Sequence, residues 1–226
     1  MLSLDNAFEP EDLYDFEKRT FNKIKKQILF YSCEPKIDGV AVSLIYEKGK
    51  FIKAGTRGDG EQGEDITHNV KTIKQIPLML NGKNHPDKIE IRGEIYCEKT
   101  AFDKFNKEYA KSGQKTFANP RNFVAGSIRQ LNPEIAAARP LKIQLHSLGY
   151  VDQKNFFKSH QEMLNTFLSW NLPINPDIEL VNSIEEVISY CDRLTNKREA
   201  LNYEIDGVVI KICLLYTSDA ADERNS

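Results

Sequence analysis

The sequence predicts an α+β protein with a largely antiparallel sheet, and two observations carry that expectation. Apolar residues recur with period two in some segments and with helical spacing in others, so strands and helices are mixed along the chain. Two of the predicted strands are separated only by Lys48-Gly49, a connection short enough to force an antiparallel hairpin. The 226 residues, 40% hydrophobic and 28% charged, suffice for a sizeable core and exclude a disordered polar chain.

Residues 11–30 carry Leu13, Phe16, Phe21, Ile24 and Ile28 among Lys18, Arg19, Lys23, Lys25 and Lys26, which predicts an amphipathic helix with a basic, solvated outer face. From Tyr31 the period changes, and residues 31–37, 40–47 and 50–56 read as strands. Arg57-Gly58-Asp59-Gly60 and Gly63-Glu64-Asp65 then form a charged, glycine-bearing loop. Residues 88–98 alternate through Ile89, Ile91 and Ile95 as a strand, and Thr100 opens a helix running to about Lys111. Asn119-Pro120 starts another helix, with Phe123, Val124 and Ile128 on one side. Residues 141–151 are a further strand, and residues 162–170 and 184–194 have helical spacing, the latter opened by Ser183 with Glu186 in a capping-box pattern. Residues 203–212 are the last strand, whose Val208, Val209 and Ile210 predict burial on both faces. The closing CLLYTSDAADERNS has neither period, and the chain shows no internal repeat.

Composition excludes several function classes. With 31 basic against 33 acidic residues there is no polybasic character, so any affinity for nucleic acid needs a local patch. Cys33, Cys97, Cys191 and Cys213 form no CxxC pair and read as reduced, mostly buried thiols; His68, His85, His146 and His160 lack metal-ligand spacing, so no protein-held metal is expected. The start MLSLDNAFEPEDLYDF has neither the basic nor the apolar region of a signal peptide, and no apolar run is long enough to span a membrane, which predicts a cytosolic protein.

Several short constellations carry chemistry. In EPKIDG, residues 34–39, strand period two puts Glu34, Lys36 and Asp38 on one face, an amine between two carboxylates. Lys36 is a candidate nucleophile if its amine is rendered neutral by desolvation, by nearby cations or by a metal ion on the substrate; the same residues also suit a surface ion pair before a glycine turn. In IRGE, Arg92 and Glu94 share a strand face beside Gly93. In EIDGVVIK, residues 204–211, an apolar strand ends in Lys211, which needs an anionic or ring-nitrogen partner if buried. TRGDG puts Arg57 in a turn suited to phosphate or ribose, though the glycines alone explain a hairpin end. FANPRN sets Arg121 at a helix N-terminus, suited to phosphate and equally to capping. Strands that each deliver a lysine or glutamate beside a glycine point to a cleft that binds a polyanion, nucleotides included.

In order along the chain, LSLDN (2–6), KIDG (36–39), TRGDG (56–60), GEDITHNVKTIKQIPL (63–78), IRGE (91–94), FANPRNFVAGSIRQL (117–131) and EIDGVVIK (204–211) closely resemble the adenylation domain of bacterial NAD-dependent DNA ligases. KxDG marks the wider nucleotidyltransferase superfamily, ATP-dependent ligases and capping enzymes included, whereas LSLDN, FANPRN and the run after TRGDG are those of the NAD-dependent type. The resemblance implies an ATP-grasp-like nucleotidyltransferase fold of mainly antiparallel sheets with flanking helices. It implies Lys36 as the nucleophile toward NAD, and NAD or AMP contacts from Ser3, Leu4, Glu34, Arg57, Glu94 and Lys211. By the same resemblance Glu34 is an adenine-side contact, Glu94 a ribose contact, Arg57 and Lys211 cationic contacts, and Asp38 orients the site or its metal.

The resemblance further implies magnesium or manganese with the nucleotide, nicked double-stranded DNA as partner, monomeric action in the bacterial cytosol near the nucleoid, and no membrane. Residues 1–212 are expected to be an adenylation domain cut at both ends, without the domain that grips the nicotinamide mononucleotide and without the OB-fold, zinc finger, helix-hairpin-helix and BRCT units of the family. Residues 213–226 resemble the translation of a transposon-derived sequencing adapter and are expected to be a read-through tail. A non-catalytic nucleotide- or DNA-binding module, and an ATP-dependent ligase or capping relative, remain alternatives at this point.

Overall fold

The computed structural model describes residues 6–24, 30–58 and 63–213. Of the residues named above, Ser3, Leu4, Lys25, Lys26, Ile28, Asp59, Gly60 and the segment after Cys213 lie outside them.

The hairpin appears where the turn residues demand it. Strands β2 (Val40–Glu47) and β3 (Lys50–Thr56) are joined by Lys48 and Gly49, both at positive φ, 49° and 77°, the primed-turn geometry that matches strand twist. With β4 (Lys88–Cys97) and β5 (Leu141–Val151) they form a four-stranded antiparallel sheet in the order β3-β2-β4-β5. Alternation puts Val42, Leu44, Tyr46, Ile89, Ile91, Ile95, Ile143 and Leu145 in the larger core. Helix α4 (Pro120–Ile128) covers that core through Phe123, Val124 and Ile128, and α6 (His160–Ser169) adds Met163, Leu164 and Phe167.

A second sheet has the order β6-β1-β7, with β1 (Tyr31–Ile37) in the middle, β7 (Ile205–Ile212) antiparallel along it, and β6 (Glu179–Val181) on its other edge. The β6 ladder reaches only Tyr31, Ser32 and Cys33. Pro35 therefore sits where β1 has a ladder on one side, the kind of position a residue without an N–H tolerates. Tyr31 and Cys33 face a smaller core with Val187, Tyr190 and Leu194 of α7 (Ile184–Lys197), while Glu34 and Lys36 face the other sheet.

The two sheets meet at Asp38-Gly39. The Asp38 N–H donates to the Glu204 carbonyl at 2.9 Å, and Gly39 leads into β2. A Cβ on Gly39 would collide with the Ile95 carbonyl of β4, so only glycine lets the connection approach this closely.

Three expectations need correction. The last strand begins at Ile205 rather than Tyr203, and Val208, Val209 and Ile210 are half-buried: Val209 borders a cleft, while Val208 and Ile210 pack partly covered against the smaller core. The first helix, α1, is Pro10–Ile24, and Phe30 is not helical. Helix α6 begins at His160, two residues before the predicted start, because Ser159 caps it by accepting the Glu162 N–H at 3.1 Å. The predicted cap at Ser183 is present, accepting the Glu186 N–H at 3.2 Å. Short α2 (Thr67–Val70), α5 (Pro133–Ala137), β6 and the 3-10 turn Arg198–Ala200 were not predicted; each is too brief to show a period. Helix α3 (Lys99–Lys111) follows β4 directly. At Cys213, the first residue of the expected tail, the N–H donates to the Phe30 carbonyl at 2.8 Å and the carbonyl accepts the His160 N–H.

Candidate functional site

Between the sheets runs a cleft of about 860 Å³, within the size range of small-molecule sites. Its lining draws Glu34 and Lys36 from β1, Asp38 from the connection, Arg57 from the end of β3, Arg92 and Glu94 from β4, Arg121 from α4, and Asp206 and Lys211 from β7. Every predicted site residue within the described residues therefore borders one cavity.

Lys36 does not lie between Glu34 and Asp38 as strand period alone suggested. Its Nζ is 2.7 Å from both carboxylate oxygens of Asp206, and the two side chains are 43% and 41% exposed. The register explains the exchange: Lys36 pairs with Gly207 and Ile37 with Ile205, so Asp206 is the extra residue of a bulge, the irregularity that re-aims a side chain, and it meets Lys36 from the neighbouring strand. Asp38 is taken by Arg121 instead, whose Nη1 donates at 2.8 Å from the first turn of α4.

Glu34 is the buried anchor of the site, with 5% of its side chain exposed. Its Oε1 accepts from Ser32 Oγ at 3.0 Å and His160 Nε2 at 2.7 Å, and its Oε2 from Lys211 Nζ at 2.7 Å. Burial pushes this carboxyl up, but the His160 hydrogen bond and the Lys211 charge outweigh it and hold the pKa down to about 2. Burial pushes the Lys211 amine down while Glu34 opposes that, and the amine also donates to the His146 carbonyl at 2.8 Å. The anionic partner that a buried Lys211 required is thus Glu34. Burial and the Lys211 charge push the His146 imidazole down to about 4, so it is neutral at pH 7.

Glu94 behaves differently. Burial raises its carboxyl to about 7 against the opposing pull of Arg121, the Gly39 N–H that it accepts, and Lys36. Arg57 borders the cleft with its own N–H bonded to the Ala41 carbonyl at 3.2 Å. Among the described residues no group of three or more His, Cys, Asp and Glu is arranged to hold a metal ion.

Sequence reasoning left Asp206 and His160 without a role. Asp206 had a visible signal, since Asp206-Gly207 repeats the Asp38-Gly39 pair of the first motif. His160 had none, because its partner is 126 residues away.

Six cations, namely Lys36, Arg57, Arg92, Arg121, Arg129 and Lys211, line the cleft against the four carboxylates Glu34, Asp38, Glu94 and Asp206. That excess favours a phosphorylated ligand, and the two antiparallel sheets with their flanking helices make this an α+β domain with a cleft that suits one. A profile of the NAD-dependent DNA ligase adenylation domain matches residues 1–219, and the chain belongs to that family. It is 47% identical over 215 residues to a DNA ligase of Hahella chejuensis, covering 94% of this chain and 31% of that protein. A DNA ligase of Coxiella burnetii is 46% identical over 213 residues, covering 94% of this chain and 32% of its own length. The chain thus spans about a third of the length of these curated relatives. A solved chain titled "Pmar-Lig_Pre." overlaps at a TM-score of 0.42 with 17% identity, over 86% of this chain and 42% of its own, and no part of the assignment rests on it.

Proposed function

We propose that this chain is the part of an NAD-dependent DNA ligase that takes AMP from NAD onto Lys36. The observation that supports it best is an accessible lysine amine, held by Asp206 at 2.7 Å, at the edge of a cleft whose cations outnumber its carboxylates. The residues present suit the adenylate half of a dinucleotide. Val209, opposite Glu34 in register, forms an apolar wall with Leu148 for a base, while Lys36, Asp206 and Arg121 form the polar end for phosphate.

In this reading Arg57 and Arg121 offset the charge of the transferring phosphate, Lys211 is a cationic contact to the nucleotide beside Glu34, and Asp206 and the β1–β7 register orient Nζ. The Lys36 ammonium first releases a proton to solvent at the exposed side of its pair with Asp206. The Nζ lone pair then forms the N–P bond at the α-phosphorus as the P–O bond to nicotinamide mononucleotide breaks, the mononucleotide departs with that electron pair, and the nitrogen releases a second proton to solvent to leave the phosphoramidate. Magnesium or manganese would arrive on the substrate's phosphates and neutralise charge there. The adenylyl group would next pass to the 5′-phosphate of a DNA nick, and the adjacent 3′-hydroxyl would displace AMP to close the strand. Ser3 and Leu4 complete the proposed nucleotide contacts, with Glu34 on the base, Glu94 on ribose and Asp38 as support through Arg121.

Action as a monomer on nicked duplex, in replication and repair within the bacterial cytosol, belongs to the same reading; no helix among the described residues is long and apolar enough to cross a membrane. So does a read-through tail after the last strand, which the nucleotide sequence across those codons tests. The functional test is incubation with NAD labelled in its adenylate and magnesium, followed by intact-protein mass spectrometry. The wild type should gain an adenylyl group and Lys36→Ala none. Equal labelling of both, or labelling from ATP and not from NAD, refutes the assignment.

A further inference from the structure

His160 occupies the first position of α6, and 5% of its side chain is exposed. Around it stand Glu34 from β1, Lys211 from β7, His146 from β5 and the Cys213 carbonyl, which its backbone N–H meets at 3.2 Å. An ionised carboxylate only accepts, so the imidazole nitrogen 2.7 Å from Glu34 Oε1 carries a proton and donates it. Ser32 Oγ supplies a second donor to Oε1, and Lys211 Nζ one to Oε2.

A carboxylate offers about four acceptor sites. With those donors in place Oε1 is full and Oε2 has one site left, and Glu34 borders the cleft beside the apolar wall of Val209 and Leu148. A flat base packed on that wall meets a buried acceptor with a single opening. Lys211 cannot swing freely to serve as a donor instead, because it is tied to both Glu34 and the His146 carbonyl.

We propose that His160 is a positioning residue for base selection: by pinning Oε1 of Glu34 it aims Oε2 at the amino group of an aminopurine and disfavours a purine with an oxo group there. This rests on the adenylate reading above. An oxo group would set its lone pairs against those of Oε2 and leave a buried acceptor unpaired, the situation in which a hydrogen-bonding site discriminates most. Without the imidazole, the carboxylate turns about its terminal torsion and the opening is no longer fixed in direction.

The test is calorimetric titration of the full 226-residue chain with AMP and with IMP. The wild type should prefer AMP by roughly tenfold or more, the scale of one buried hydrogen bond to a charged group. His160→Phe, which fills the volume without a donor, should shrink the preference to about twofold through loss of AMP affinity. His160→Gln, whose amide reaches where Nε2 stood, should restore most of it. A wild-type preference retained in His160→Phe overturns the inference, as does equal loss in His160→Gln.

A second measurement needs no folded Phe variant: in long-range ¹H–¹⁵N spectra of the wild type, with His160→Gln used for assignment, the His160 Nε2 signal should shift with AMP and stay with IMP. The same response to both nucleotides, or to neither, overturns the inference. If the wild type binds neither nucleotide, the adenylate reading itself falls and the inference with it, an outcome distinct from binding with an unaltered preference.

Discussion

Replacing Lys211 with methionine tests the electrostatics at the floor of the cleft. The substitution keeps most of the side-chain volume and removes the charge 2.7 Å from Glu34 Oε2. Glu34 is buried, and its carboxyl is held from 4.5 down to about 2. At ~1.4 kcal/mol per pH unit of displacement this corresponds to about 3 kcal/mol of stability at neutral pH. Breaking a buried pair by removing one partner costs about 3–5 kcal/mol in general, so both routes give the same scale.

The sign follows from the direction of the shift. A depressed carboxyl contributes stability that is fully present above the unfolded value, near 4.5, and is lost as pH falls through the folded value, about 2. In Lys211→Met burial is opposed by His160 alone, so the folded carboxyl sits above its wild-type position and acid costs the variant less than the wild type. Urea denaturation followed by circular dichroism at pH 7, 5.5 and 4 should show a gap near 3 kcal/mol at pH 7 that narrows toward pH 4. In thermal melts at pH 7 the gap amounts to ~10 °C for a chain of this size. The double substitution Glu34→Met/Lys211→Met should be more stable than Lys211→Met alone, since the orphaned charge is gone. A gap below about 1 kcal/mol, or one unchanged between pH 7 and pH 4, refutes the reasoning.

Two further substitutions test separate links of the argument. Asp206→Ala releases the Lys36 amine from its 2.7 Å clamp and should slow single-turnover adenylation ~100-fold, by loss of orientation, with the melting temperature nearly unchanged; a rate within threefold of wild type removes Asp206 from the site. Gly39→Ala drives a methyl group into the Ile95 carbonyl and should cost about 1–3 kcal/mol as overpacking does, whereas a neutral result in urea denaturation would mean that the sheets do not meet at this glycine.

Much of this fold is legible without coordinates because its signals are local. The Lys48-Gly49 turn carries its own conformational requirement, and β1, β2, β3 and β5 show their alternation within eleven residues or fewer. Ser183 and Asn119 cap helices through partners three residues away, so the caps can be read from the chain. Elements of three to five residues, such as β6, α2 and α5, escape because no period fits inside them.

The site divides along the same line. Sequence by itself determined which residues would border the cleft: Glu34, Lys36, Asp38, Arg57, Glu94 and Lys211 sit on motifs whose strand parity and glycines are local properties. Only the tertiary structure decided who pairs with whom. Lys36 belongs to Asp206, 170 residues on, Glu34 to His160 and Lys211, 126 and 177 residues on, and Asp38 to Arg121. Those pairings depend on the register between β1 and β7 and on where α4 and α6 dock. Register and docking are set by the burial of both cores as a whole, and no single motif contains that information.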